Sequence, residues 1–143
     1  MKFLVPATLF STILATKVLH QGTLVLAPVD SDIAPKLLGI SQDKVVADNS
    51  ISYFGYHKKG ALSFILANKY VSVNGKGELV LASSPQYGFY LADDPETIWT
   101  KQLSYKGNAD FQLCPDSSIR IKNNCEGAQR VRITYERDWP IDD

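Results

Sequence analysis

At 143 residues, 45% of them apolar, the chain is long enough for one domain built on one core. Its 15 basic and 15 acidic residues cancel, so nucleic acid, which demands a basic face, is not an expected partner. Two histidines and two cysteines leave little material for a metal or redox centre, and no cofactor is expected.

Residues 1–15 read as a secretory signal. Lys2 is a minimal positive start, the run 3–15 is apolar with small hydroxyl residues interspersed, and Ala15 suits the upstream side of a cut. Pro6 interrupts the run, and at 13 residues it is too short to cross a bilayer. The expected organisation is therefore a signal over 1–15 and a single β-domain over 16–143. The other end, Asp138-Trp139-Pro140-Ile141-Asp142-Asp143, lacks the hydrophobic tail of a GPI signal, so no membrane anchor is expected by that route. No Asn-x-Ser/Thr sequon occurs; Asn49-Ser50-Ile51 fails at its third residue.

After the signal, residues 18–22 read as a frayed lead-in with His20 in solvent, and 23–27 as the first good strand, stopped by Pro28. Residues 29–38 read as loop, with room for a helical turn after Pro35. A short strand at 44–47 ends in the turn Asp48-Asn49-Ser50. From there the pattern is regular: 51–56, 61–66, 69–73, 78–82 and 87–92 are strand-length runs rich in β-branched and aromatic residues. His57-Lys58-Lys59-Gly60 and Asn74-Gly75-Lys76-Gly77 punctuate them as hairpin turns, the second with Asn-Gly to supply positive φ. Runs at 98–105, 111–114, 119–122 and 130–136 complete the chain. In the last, Val131, Ile133 and Tyr135 alternate with Arg130, Arg132 and Thr134, giving one apolar and one polar face.

No mature window sustains a helical period. About ten short strands at this spacing predict an all-β fold, a single compact antiparallel β-sandwich or barrel. A β-trefoil is the alternative, because residues 69–81 resemble a trefoil hairpin, although that unit is visible only once in the sequence.

Residues able to carry chemistry are few. Cys114 and Cys125 have one possible connectivity and are expected to form a disulfide in an exported chain. Closing so short a loop stabilises by roughly 2–3 kcal/mol on chain entropy. His57, flanked by Lys58 and Lys59, reads as a turn residue, and no Gly-x-Ser-x-Gly accompanies it. Asp93, Asp94 and Glu96 form the most acidic cluster, which reads as a solvated loop rather than the two carboxylates of a glycosidase. The same residues lack a recognised calcium-loop spacing. Tyr53, Phe54 and Tyr56, like Tyr87, Phe89 and Tyr90, are expected to supply mostly core, with sugar stacking as the competing use. No catalytic or metal-binding residues are expected.

Four segments carry a resemblance: Gly88-Phe89-Tyr90-Leu91, Leu103-Ser104-Tyr105-Lys106-Gly107, Phe111-Gln112-Leu113-Cys114-Pro115 and Cys125-Glu126-Gly127. Over residues 78–131 the chain resembles the C-terminal half of the PhiA-like fungal cell-wall proteins, although it is shorter before Ile51. The resemblance implies a secreted, wall-associated protein without catalytic machinery, whose partners are cell-wall polysaccharide or other wall proteins. The competing expectations are a carbohydrate-binding module and a small secreted effector or toxin.

Overall fold

The computed structural model describes residues 18–29, 34–94, 97–122 and 125–137. They form twelve strands: β1 (Val18–Pro28), β2 (Lys36–Ser41), β3 (Lys44–Asp48), β4 (Phe54–His57), β5 (Leu62–Phe64), β6 (Lys69–Val73), β7 (Leu79–Ala82), β8 (Phe89–Asp94), β9 (Thr97–Tyr105), β10 (Phe111–Leu113), β11 (Ile119–Arg120) and β12 (Gln129–Arg137). One 3-10 turn, Ile65–Ala67, follows β5. The protein is all-β. Strands β1, β2, β3, β7, β6, β5 and β4 pair in that order, and β4 returns to β1, closing an antiparallel barrel of seven strands. Outside that ring, β12 runs along β1 for seven residue pairs and also pairs with β9 and β10, while β8 pairs with β9.

The strand pairing contains a threefold repeat. Strands β2–β3, β6–β7 and β10–β11 are hairpins, each placed second and third in a set of four consecutive strands. The three hairpins meet in a cyclic hand-off. The Asp43 carbonyl accepts from Leu81 N–H, the Gly77 carbonyl from Ile121 N–H, and the Ser117 carbonyl from Ala47 N–H. The side-by-side pairs follow the same cycle: Lys44 with Val80, Glu78 with Arg120, and Ser118 with Val46. The residues whose carbonyls accept in this cycle are all left-handed, with φ of 60° at Asp43, 80° at Gly77 and 73° at Ser117. Between the hairpins, β1 with β4, β4 with β5, β8 with β9, β9 with β12 and β12 with β1 form the wall. Four strands repeated three times, six in a wall and three hairpins across one end, give the barrel a trefoil-like arrangement.

The core obeys the same repeat. Leu38, Val71 and Phe111 are buried at one level, Val45, Leu79 and Ile119 at the next, and Phe54, Phe89 and Val131 on the wall. Ile40, Val73 and Leu113 pack against this cluster at matching positions. Burying each such side chain contributes about 1.5–3 kcal/mol relative to exposure. Val131, Ile133 and Tyr135 all face inward, as their alternation predicts.

Several local expectations are corrected. Residues 18–22 belong to β1: His20 pairs with Tyr56 and Gly22 with Phe54, so the segment is wall and not a frayed lead-in. Residues 36–38 open β2 instead of ending a loop, because β1 and β3 each offer them a pairing edge. The run 61–66 stops being a strand after Phe64, where the 3-10 turn begins, and Asn68 ends that turn in the left-handed conformation. The expected signal, residues 1–15, lies outside the described residues.

Candidate functional site

The disulfide closes the third repeat. Cys114 follows β10 at once and Cys125 lies in the loop before β12; they are bonded, with Cα atoms 5.8 Å apart. Cys114 also belongs to a turn, its N–H donating to the Ser118 carbonyl and its carbonyl accepting from Ser117. Asp116 finishes that turn by accepting from both the backbone and the hydroxyl of Ser118. These bonds, the hydroxyl first, hold its carboxyl below the usual carboxylate range. Lys36, Ala47, Leu113, Pro115, Ser117, Gly127 and Gln129 line a shallow hollow of about 210 Å³ beside the bridge.

His57 is not the solvated turn residue that its two lysine neighbours suggest. It is the last residue of β4, 4% exposed, with Nε2 2.9 Å from the hydroxyl of buried Ser63 and its ring against Tyr70. Lys58 and Lys59 do turn outward. A histidine and a serine in contact have the elements of an acyl-transfer pair, but both lie inside the fold, where the bond ties β4 to β5. Nothing in the sequence pairs these two residues; only the β4–β5 register, Gly55 opposite Ser63, brings them together.

The acidic cluster is only partly a loop. Asp93 is in β8 opposite Lys101 of β9, whose ammonium donates to it at 2.6 Å and pulls its carboxyl below the usual range. The backbone of Asp94 ends β8; its side chain and Glu96 lie outside the described residues. Asp110 is bound by Arg132 at 3.2 Å and Arg130 at 3.6 Å.

A different carboxylate, which the sequence does not mark, is the most enclosed among the described residues. Glu78 sits at the centre of the hairpin cycle, 5% exposed. It accepts from Asn74 Nδ2 at 3.0 Å and Lys44 Nζ at 3.3 Å, and Arg120 lies 3.5 Å away. The Asn74 bond first, then Lys44 and Arg120, outweigh the cost of burial and lower its pKa. Asn74 Oδ1 also accepts the backbone N–H groups of Lys76 and Glu78, so one side chain both shapes the turn and holds the charge.

The apolar surface concentrates at the β4–β5 end of the wall. Gln21, Ile51, Ser52, Tyr53, Phe64, Ile65 and Leu66 enclose an open groove of about 220 Å³. Ile51 is 61% exposed and Leu66 86%, with Tyr53 and Ile65 exposed beside them. The segment is held by Ile65 N–H, which donates to the Tyr53 carbonyl. The aromatic residues thus divide. Phe54 and Phe89 are core, whereas Tyr53, Tyr87 and Tyr90 are exposed.

Comparisons with protein-family models, with curated proteins and with solved structures find no match. Among the described residues, no group of three or more His, Cys, Asp or Glu side chains is placed to hold a metal ion. No helix among them is long and apolar enough to cross a membrane. Among the described residues, the Ile51–Leu66 groove, with Tyr53 as its exposed aromatic ring, has the geometry of a binding surface. The sequence signal for it was available in Ile65-Leu66, an apolar pair just beyond the last paired residue of β5, where the wall no longer covers it.

Proposed function

We infer that this is a non-enzymatic protein exported from the cell, which acts by binding in the extracellular space in association with a cell wall, in the manner of the PhiA-like proteins that it resembles. The Cys114–Cys125 disulfide carries the reading, because such a bond persists in an oxidising compartment and is reduced in a cytosol. Cleavage after Ala15 fits the same picture: β1 starts at Val18, so the cut leaves every described strand whole. The expectation of no catalysis is supported by the surroundings of the candidate groups among the described residues. The His57–Ser63 pair is buried, and Glu78, Asp93 and Asp110 each face a lysine or arginine. Fractionation of producing cells tests the proposal: the protein should be found in the wall or the medium, starting near Thr16. Recovery from the cytosol with Met1 intact would overturn it.

A second reading, a carbohydrate-binding module, is favoured by one observation. Tyr53 is an exposed ring with the polar groups of Gln21 and Ser52 in the same groove, the combination that stacks on and orients a sugar. A glycan array with the mature protein and Tyr53→Ala separates the two. Binding lost in the variant supports the module, and no binding by the wild type removes it.

A further inference from the structure

The threefold repeat shows where a strand pairing is missing. In the first repeat β4 is flanked by β1, and in the third β12 is flanked by β9. The equivalent neighbour of β8 is β5, and β5 is only three residues long because the chain turns tightly through His57-Lys58-Lys59-Gly60. The seam holds one backbone bond, from Phe89 N–H to the Gly60 carbonyl. Gly60 has φ of 95°, and a Cβ there would lie 2.9 Å from the Phe89 carbonyl, so only glycine permits this approach. The Tyr56 hydroxyl donates to that carbonyl. Burial, and secondarily Tyr90, raises the Tyr56 pKa, which keeps the hydroxyl a donor.

Beyond Phe89 the edge has no partner strand among the described residues. Because backbone groups alternate along a strand, the N–H and C=O of Leu91 and Asp93 point to the same side as those of Phe89. Among the described residues no strand pairs with them there, since β8 pairs only with β9. Tyr90, on the outer face, is 61% exposed. Lys58 and Lys59 are exposed at one end of this edge, and Asp93, already bonded to Lys101, marks the other.

We propose that the outer edge of β8 is a homodimer interface, in which a second copy of the chain adds its own β8 antiparallel across a twofold axis at Ala92. That register places Leu91 opposite the second copy's Asp93 and satisfies the outward N–H and C=O of both, four hydrogen bonds in all from the two symmetric pairs. The charge pattern selects this occupant. The twofold swaps the ends of the edge, bringing the lysine turn of each copy toward the Asp93 end of the other, whereas a parallel addition would set like charges together. Ala92 falls at the closest point between the two strands, where a small side chain lets them approach.

The tests use the mature chain with its disulfide intact. Sedimentation equilibrium should show a dimer that weakens with salt, and Ala92→Cys should yield a covalent dimer under mild oxidation while Ser104→Cys on β9 does not. Asp93→Pro removes an outward N–H from each copy and should weaken dimerisation by about tenfold or more. Its circular dichroism should stay near wild type, since among the described residues no strand pairs with that N–H within the monomer. Its melting should change only by the small cost of losing the exposed Lys101 ion pair. Exchange of charge at both ends, Lys58→Glu and Lys59→Glu with Asp93→Lys, should restore part of what the lysine changes alone remove. A wild type that stays monomeric at the highest attainable concentration overturns the proposal. A dimer unaffected by Asp93→Pro and not trapped by Ala92→Cys also overturns it.

Discussion

Replacing Glu78 by Gln tests what holds the three hairpins in register. The amide keeps the volume of the side chain and its oxygen can still accept from Asn74, while its NH2 group, a donor, replaces the charged oxygen that faces Lys44 and Arg120. What is lost is the hydrogen bond from Lys44 at 3.3 Å and the ion pair with Arg120 at 3.5 Å. A hydrogen bond to a charged group contributes about 1.5–3 kcal/mol. Here the cations remain 42% and 24% exposed, so water screens and partly replaces the interaction. The expected cost is about 1–2 kcal/mol for the pair together. The pH dependence gives the sharper criterion. The folded-state pKa of Glu78 is depressed, so its contribution is complete above the ordinary carboxylate range and is lost as pH falls through the folded value. Below that, a protonated Glu78 and a glutamine are nearly the same group. Urea unfolding of wild type and Glu78→Gln across a pH series should therefore show a gap at neutrality that closes in acid. Equal stability at neutral pH would refute the reasoning, as would a gap that persists unchanged in acid.

Cys125→Ser should cost roughly 2–3 kcal/mol by denaturant unfolding for an 11-residue separation, and intact mass of wild type under non-reducing alkylation should show no free thiol. Ser63→Ala should destabilise by about 1–3 kcal/mol, because the buried His57 nitrogen loses its partner; a neutral result by thermal melting would mean that water replaces the hydroxyl. Ile133→Ala, in the core, should cost about 2–5 kcal/mol, whereas Leu66→Ala, at the rim of the groove, should stay within about 0.5 kcal/mol in the same assay.

The strand content was legible because most runs alternate or carry β-branched residues. The last strand is the clearest case, with its inward Val131, Ile133 and Tyr135. The threefold repeat was harder to read, for a physical reason. The turn that reverses each hairpin needs a left-handed residue, and only one repeat supplies it with the glycine that makes it visible, at Gly77. Asp43 and Ser117 adopt the same conformation without announcing it. The buried triplets are also unevenly spaced: from Val45 to Phe54, from Leu79 to Phe89 and from Ile119 to Val131 the intervening loops differ in length, which blurs the period. The disulfide was readable because only two cysteines exist. The His57–Ser63 contact and the Glu78 cluster were not, since each depends on a register between strands that sequence neighbours do not reveal. The groove had a partial signal in Ile65-Leu66, masked by an expectation that the strand continued through them.

The pairing of β1 with β12 has a consequence for how the molecule is made. The first strand has its longest partner in the last, Gly22 opposite Arg137 through Pro28 opposite Val131. During synthesis or passage across a membrane, β1 can find β4 and β2 early, but this side of the wall stays open until the twelfth strand arrives. Leu24 and Leu26 can reach their final burial only then, after most of the chain has waited. Contacts of such long sequence separation form slowly. The interval exposes a pairing-competent strand, so the incomplete chain is the species most at risk of aggregation and the one that a holding chaperone would serve.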